Sequence, residues 1–224
     1  MIPKLFSDKF KAKFDEMEKQ GLISVAEMLG LKKSKLVFYP FITSKGFQDI
    51  RTVFKQTKEE DDFLIQKFKQ FIVGDKNLME KAVSIARAVN NHMIYNSDKS
   101  IYNEAEYWNN PIGSYNKRTD DCDSYAVLIC YLLRLFGAKE YEVFVRAGDV
   151  YYKDGKYAGG HANAIVLDEE TYLFYPVEGS FYPADSLREF GTKPLMTHSR
   201  YSNTWWVTND AVSYSTMPWL KFIK

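Results

Sequence analysis

Three residues in this chain are of the types that thiol acyl transfer needs: Cys122, His161 and Glu178. Cys122 would attack a carbonyl, His161 would take and return the proton, and Glu178 would fix the imidazole tautomer and stabilise imidazolium. Cys122 and Cys130 are the only cysteines. Placed on one helix they would stand about 12 Å apart at roughly 1.5 Å rise per residue, beyond disulfide reach. Both are expected to be free thiols.

These residues need elements to position them. Thr119-Asp120-Asp121-Cys122-Asp123-Ser124-Tyr125-Ala126 runs into the apolar Val127-Leu128-Ile129-Cys130-Tyr131-Leu132-Leu133 and stops at Gly137. This predicts a helix with its N-cap at Thr119, Asp120 or Asp121 and a left-handed stop at Gly137. Unpaired N–H groups and the positive dipole end at a helix start favour the thiolate and can hold an oxyanion. Asp120, Asp121 and Asp123 oppose ionisation of the neighbouring sulfur. A cysteine at a helix start also reads as a small buried residue, so a partner base is required.

After Gly137 the periodicity is that of strands: Tyr141 to Arg146, a turn at Asp154-Gly155, then Gly160 to Leu167, a turn over Asp168 to Thr171, and Tyr172 to Glu178. If Leu167 and Tyr172 flank the hairpin loop, His161 stands across from Glu178 and Asn163 across from Pro176. Pro176 has no N–H, which makes these non-hydrogen-bonded pairs with Cβ atoms about 4.5–5.5 Å apart. The other reading of His161 is a satisfied strand histidine.

Upstream, helices are predicted over residues 7 to 20, with Phe10, Phe14 and Met17 on one face, and over about 22 to 29. They would cap the main domain or serve as a docking arm for a protein partner. Lys32 to Lys35 reads as a solvated turn, and Leu36 to Tyr39 as a β-prone stretch stopped by Pro40. Helical patterns follow over Gln48 to Lys55 and Lys58 to Val73. A third, capped by Asp75, carries Leu78, Ala82, Val83, Ile85, Ala86 and Val89 on one stripe. His92 near its end reads as a dipole partner or a packed side chain.

Asn96 to Arg118 is expected to be a loop, either a groove wall or a surface loop pinned by its aromatics; Trp108 and Tyr115 are its candidate substrate contacts. A soft boundary near residue 57 separates an N-terminal helical appendage, 1–57, from the main domain, 58–224. The tail's Tyr201, Trp205, Trp206, Tyr214 and Trp219 read as core or as a stacking surface.

Composition narrows the function classes. Thirty basic against twenty-nine acidic side chains leave a formal charge of +1, so no global field recruits nucleic acid. No signal-peptide run or membrane-spanning apolar stretch is present, and a cytoplasmic protein is expected. Cys122, Cys130, His161 and His198 lack the close pairs of a structural zinc site, so no metal and no cofactor is expected. Gly159-Gly160 reads as a turn, not a phosphate loop.

The Cys block Thr119 to Ala126, then Gly160-His161-Ala162, then the strand ending at Glu178, resembles the transglutaminase-like superfamily. Trp108-Asn109-Asn110-Pro111 ahead of the Cys block is similar to the bacterial transglutaminase-like cysteine proteinases. The resemblance covers about residues 75 to 182. It implies an α+β, papain-like core with the nucleophile at the start of a central helix packed on an antiparallel sheet. Cys122, His161 and Glu178 would then be nucleophile, base and third member. Asp120 stands where the family usually has Gly, and Glu178 where it often has Asp. The implied activity is acyl transfer on a protein or peptide amide through a Cys122 thioester, with peptidase or deamidase action favoured over cross-linking. The alternative is a catalytically idle module that joins an assembly such as a viral particle, through the N-terminal helices or the aromatic tail, and is then virion-associated.

Overall fold

The computed structural model describes residues 32–33, 50–74, 76–180, 193–211 and 213–215. The helices expected over 7–20 and 22–29, the stretch 36–39, Asp75 and Trp219 lie outside them. No helix of the described residues is long and apolar enough to cross a membrane.

The helices start where side chains can satisfy their free N–H groups. Thr57 and Glu60 form a capping box at the head of α1 (Lys58–Phe68), and Asn77 and Glu80 form another at α2 (Leu78–His92). The cap of α2 is therefore Asn77, two residues later than the expected Asp75. Beyond α1 the expected helix tightens into a 3-10 turn over Lys69–Ile72, and the one expected over Gln48 to Lys55 is a 3-10 turn over Ile50–Phe54. Ile50, Val53 and Phe54 are buried in the main core.

The expected loop from Asn96 to Arg118 instead holds two short helices, α3 (Asp98–Tyr102) and α4 (Pro111–Lys117). Pro111, which reads as a breaker, occupies the first turn of α4, where its missing N–H costs nothing. Asn110 caps that turn by accepting from the Gly113 N–H at 2.7 Å. Asn103 and Arg118 end the two helices in the left-handed region, at φ 58° and 61°. A parallel pairing of β2 (Ile94–Tyr95) with β3 (Thr119–Asp120) draws the ends of this segment together.

Helix α5 (Cys122–Leu135) begins at the N-cap Asp121 and is followed by Gly137 at φ 98°, as its sequence predicts. Every residue from Asp123 to Leu133 is buried, which is why its sequence is apolar almost all round. It lies on β4 (Val143–Tyr151) and β5 (Tyr157–Leu167), with α2 against its other side. These strands belong to a six-stranded antiparallel sheet in the order β1-β8-β7-β4-β5-β6, with β1 Lys32–Lys33, β6 Phe174–Val177, β7 Tyr201–Thr208 and β8 Ser213–Ser215. Lys32 and Lys33 are thus strand residues paired with β8, where a solvated turn was expected. Tyr201 and Trp206 of the tail are buried, at 5% and 1% exposure, and Trp205 packs against the core. The architecture is the expected α+β core.

The β5–β6 hairpin differs from the expected register by two residues. Tyr172 adopts φ 59°, so the turn closes at Asp168, whose N–H donates to the Leu173 carbonyl at 3.0 Å. Ile165 therefore faces Pro176, and Ala164 faces Val177. Pair types alternate from Asp168/Leu173, so Pro176 still occupies a non-hydrogen-bonded pair. A shift of two leaves every side chain on the face it was expected to occupy. Glu178 follows the last strand residue and meets His161 diagonally rather than directly across.

Candidate active site

Asp121 caps α5 by accepting from the Asp123 N–H at 3.3 Å, which leaves Cys122 as the first helical residue. Its backbone N–H is one of the four at a helix start without an intrahelical acceptor. Cys122 is half-buried, and its sulfur accepts from the Ala162 N–H at 3.5 Å. The sheet explains this contact. β6 stops at Val177, opposite Ala164, and the Ala162 N–H points to the same edge one rung further on, where no strand carbonyl is left to meet it. The sulfur takes that place.

His161 precedes Ala162 on β5. Its Nε2 lies 2.7 Å from Oε2 of Glu178, and both side chains are buried. A carboxylate only accepts, so Nε2 carries the hydrogen. Glu178 accepts four further hydrogen bonds. Oε1 accepts from the Gly179 and Ser180 N–H groups, each at 3.0 Å, and from the Ser180 hydroxyl at 3.3 Å. Oε2 also accepts from the Tyr201 hydroxyl at 2.9 Å. The Gly179 carbonyl takes the Asn90 amide of α2 at 2.7 Å. A Cβ at Gly179 would come within 2.7 Å of the Ile129 Cδ1, so a larger residue there would push that side chain of α5 aside.

The three expected residues, Cys122, His161 and Glu178, thus converge from α5, β5 and the end of β6. Trp108 and Tyr115 are engaged in packing. The Trp108 ring lies 5.2 Å from that of Trp206, and its Nε1–H donates to Glu106 at 2.6 Å. Tyr115 stacks on His92 at 4.2 Å and meets Phe63 and Phe68 edge-on, while its carbonyl accepts from His92 Nε2 at 2.7 Å. Asp120 is buried and accepts from the Tyr102 hydroxyl and the Asn109 amide, at 3.0 and 3.2 Å. Its carboxylate ties the α3–α4 segment to the Cys helix.

The surroundings of Cys122 are acidic. Burial pushes its thiol well up, and Asp121 and Asp123 add to the shift, against the Ala162 N–H which lowers it. Asp98, Glu106 and Asp123 each offer an oxygen within 4.8 Å of the others. Burial is the main cause that raises all three carboxyls. Asp98 is 2% exposed; Oδ2 accepts from the Tyr107 N–H at 2.5 Å, whereas Oδ1 is buried with no hydrogen-bond partner. Burial of such a group favours keeping a proton, meeting a buried water or holding a cation. The all-oxygen donor set suits a hard divalent ion such as calcium.

Tyr201, the Ala162 N–H and the Asp98–Glu106 pair are features of the site that sequence reasoning missed. Asp98 and Glu106 lie in the segment read as a loop, and Tyr201 in the tail read as generic aromatic core.

No family model and no curated protein matches the chain. Among solved structures, Legionella pneumophila LapG aligns with a TM-score of 0.50 at 11% identity, over 89% of this chain and 92% of that one. The EGTA-treated form of LapG gives 0.49 at 11%, over 87% of each. A Cytophaga hutchinsonii protein, whose description as a cysteine protease is provisional, gives 0.43 at 14%, over 58% of this chain and 41% of that one. At these identities the likeness is one of fold, a papain-like α+β core.

Proposed function

We propose that this protein is a thiol-dependent hydrolase of amide bonds in proteins or peptides, acting through a Cys122 thioester. The observation that carries the reading is the 2.7 Å pair of His161 with Glu178, beside a sulfur bonded to the N–H of the residue next to His161. With Nε2 turned to Glu178, Nδ1 is the ring nitrogen for the thiol proton. As that proton passes to Nδ1, the sulfur attacks the carbonyl carbon, and the Cys122 N–H stabilises the developing oxyanion. Imidazolium, stabilised by Glu178, then gives the proton to the leaving amine, and the thioester remains. Water, deprotonated by His161, attacks the thioester, and the thiol is restored as the acid departs. The resemblance to bacterial cysteine proteinases favours water over an amine as acceptor.

Asp98, Glu106 and Asp123 fit a hard divalent cation, which the orphaned Asp98 oxygen would face. When bound, the ion would supply positive charge to the acidic side of Cys122. One feature favours the second reading, an idle module: burial and the flanking aspartates push the Cys122 thiol up, against ionisation.

The test is the iodoacetamide alkylation rate of Cys122 at neutral pH, followed by peptide mass spectrometry. A rate above that of an ordinary free thiol, lost in His161→Ala and Glu178→Ala, is the expected result. A slow rate indifferent to His161 in a folded protein overturns the catalytic reading in favour of the module.

A further inference from the structure

We propose that Tyr201 is a positioning residue of this site: its hydroxyl, donating to the Glu178 oxygen that His161 also uses, holds that oxygen against the imidazole and fixes the ring's tautomer. The inference rests on the reading of Cys122, His161 and Glu178 as a working triad. A carboxylate oxygen has two lone pairs, and on Oε2 they are met by His161 at 2.7 Å and Tyr201 at 2.9 Å. The two donors come from different strands, β5 and β7, with β4 between them. The terminal torsion of a glutamate is broad, so its oxygens are placed by their partners and not by a rotamer well. Oε1 is fixed by the glutamate's own loop, at Gly179 and Ser180. Tyr201 does for Oε2 what that loop does for Oε1.

The tyrosine is itself held from several sides. It is 5% exposed and pairs through its backbone with Val150 of β4. The His198 ring meets it edge-on at 4.8 Å, and the Arg146 guanidinium lies 5.8 Å from its centroid. Arg146 is fully buried and donates to Thr204 Oγ1 at 2.9 Å and to Asn163 Oδ1 and the Asp149 carbonyl, each at 3.3 Å. Burial and the Glu178 charge push the Tyr201 hydroxyl well up, so it stays a donor. All of these contacts except the one to Glu178 use the ring or the backbone.

Tyr201→Phe therefore removes the hydroxyl and keeps the packing. The experiment is ring-nitrogen NMR of isotope-labelled histidine in the native chain and in Tyr201→Phe, with the Cys122 alkylation rate measured on the same samples. The native His161 is expected in the single Nε2–H tautomer. The variant is expected to show a tautomer mixture and an alkylation rate lower by about tenfold, the kinetic equivalent of one lost hydrogen bond. A variant that keeps one tautomer and the native rate overturns the proposal. Should the variant not fold, fluorotyrosine at position 201 keeps the ring and strengthens the donor. It shifts the His161 Nε2–H resonance if the two donors share Oε2, and an unmoved resonance overturns the proposal. The tautomer readout is independent of turnover. A native Cys122 that alkylates slowly and without regard to His161 sinks the triad, whereas an unchanged His161 tautomer sinks only the role of Tyr201.

Discussion

Nε2 of His161 and Oε2 of Glu178 lie 2.7 Å apart, with both side chains at 5% exposure or less. All partners of the carboxylate named above are donors: His161, Tyr201, the Ser180 hydroxyl and two backbone N–H groups. An amide in its place must turn its NH2 toward one set of these donors. Glu178→Gln is therefore expected to cost about 1–3 kcal/mol of stability, the price of unpaired buried groups, and to lower the Cys122 alkylation rate by tenfold or more. Thermal melts and alkylation rates on one preparation check both.

The acidic cluster sets a pH dependence with a definite sign. Burial raises Asp98 to about 8, and Glu106 and Asp123 shift in the same direction. The folded state thus keeps protons that the unfolded chain releases near pH 4. Where the folded state binds more protons, stability falls as pH rises, here from the ordinary carboxylate range up to about 8. Calcium at the cluster should offset this loss. Its effect on Tm is expected to be large at pH 8, to shrink toward pH 5, to reverse with EGTA and to vanish in Asp98→Asn. A calcium response equal at both pH values, or retained in Asp98→Asn, would sink the assignment.

Gly160 abuts Trp205. A Cβ there would lie 2.6 Å from the Trp205 ring edge, one residue before the imidazole. Gly160→Ala should destabilise by about 1–3 kcal/mol, as overpacking does, and slow Cys122 alkylation. Trp205→Ala in the same chain removes the obstruction, so the double variant should recover part of the rate. Additive losses in the double-mutant cycle would show that the two residues do not meet.

Much of this site was legible from local chemistry. The cap-rich run into apolar residues and Gly137 gave α5 its start and stop, because caps and left-handed stops are encoded within a few residues. The His161–Glu178 pairing was legible as a shared face but not as a rung, because the turn's length depends on Tyr172 entering the left-handed region, which nothing in its side chain announces. Helix α4 escaped because Pro111 and Gly113 are breakers in mid-helix and tolerated in a first turn, and α3, at five residues, is too short to show a helical period. The acidic cluster and Tyr201 escaped for another reason. Their partners are brought together by the β2–β3 pairing and by β7, and no local pattern reports such long-range contacts.

The place of β7 beside β4 has a consequence for the order of manufacture. Synthesis delivers Cys122, His161 and Glu178 before Tyr201 and Trp206. A nascent chain that has just emerged to Glu178 carries all three residues of the proposed triad, yet β4 has one bare edge and Oε2 has one donor fewer. The strand that covers this edge of β4 thus also brings the last donor to Glu178, so the order of synthesis places that donor after the residues it serves.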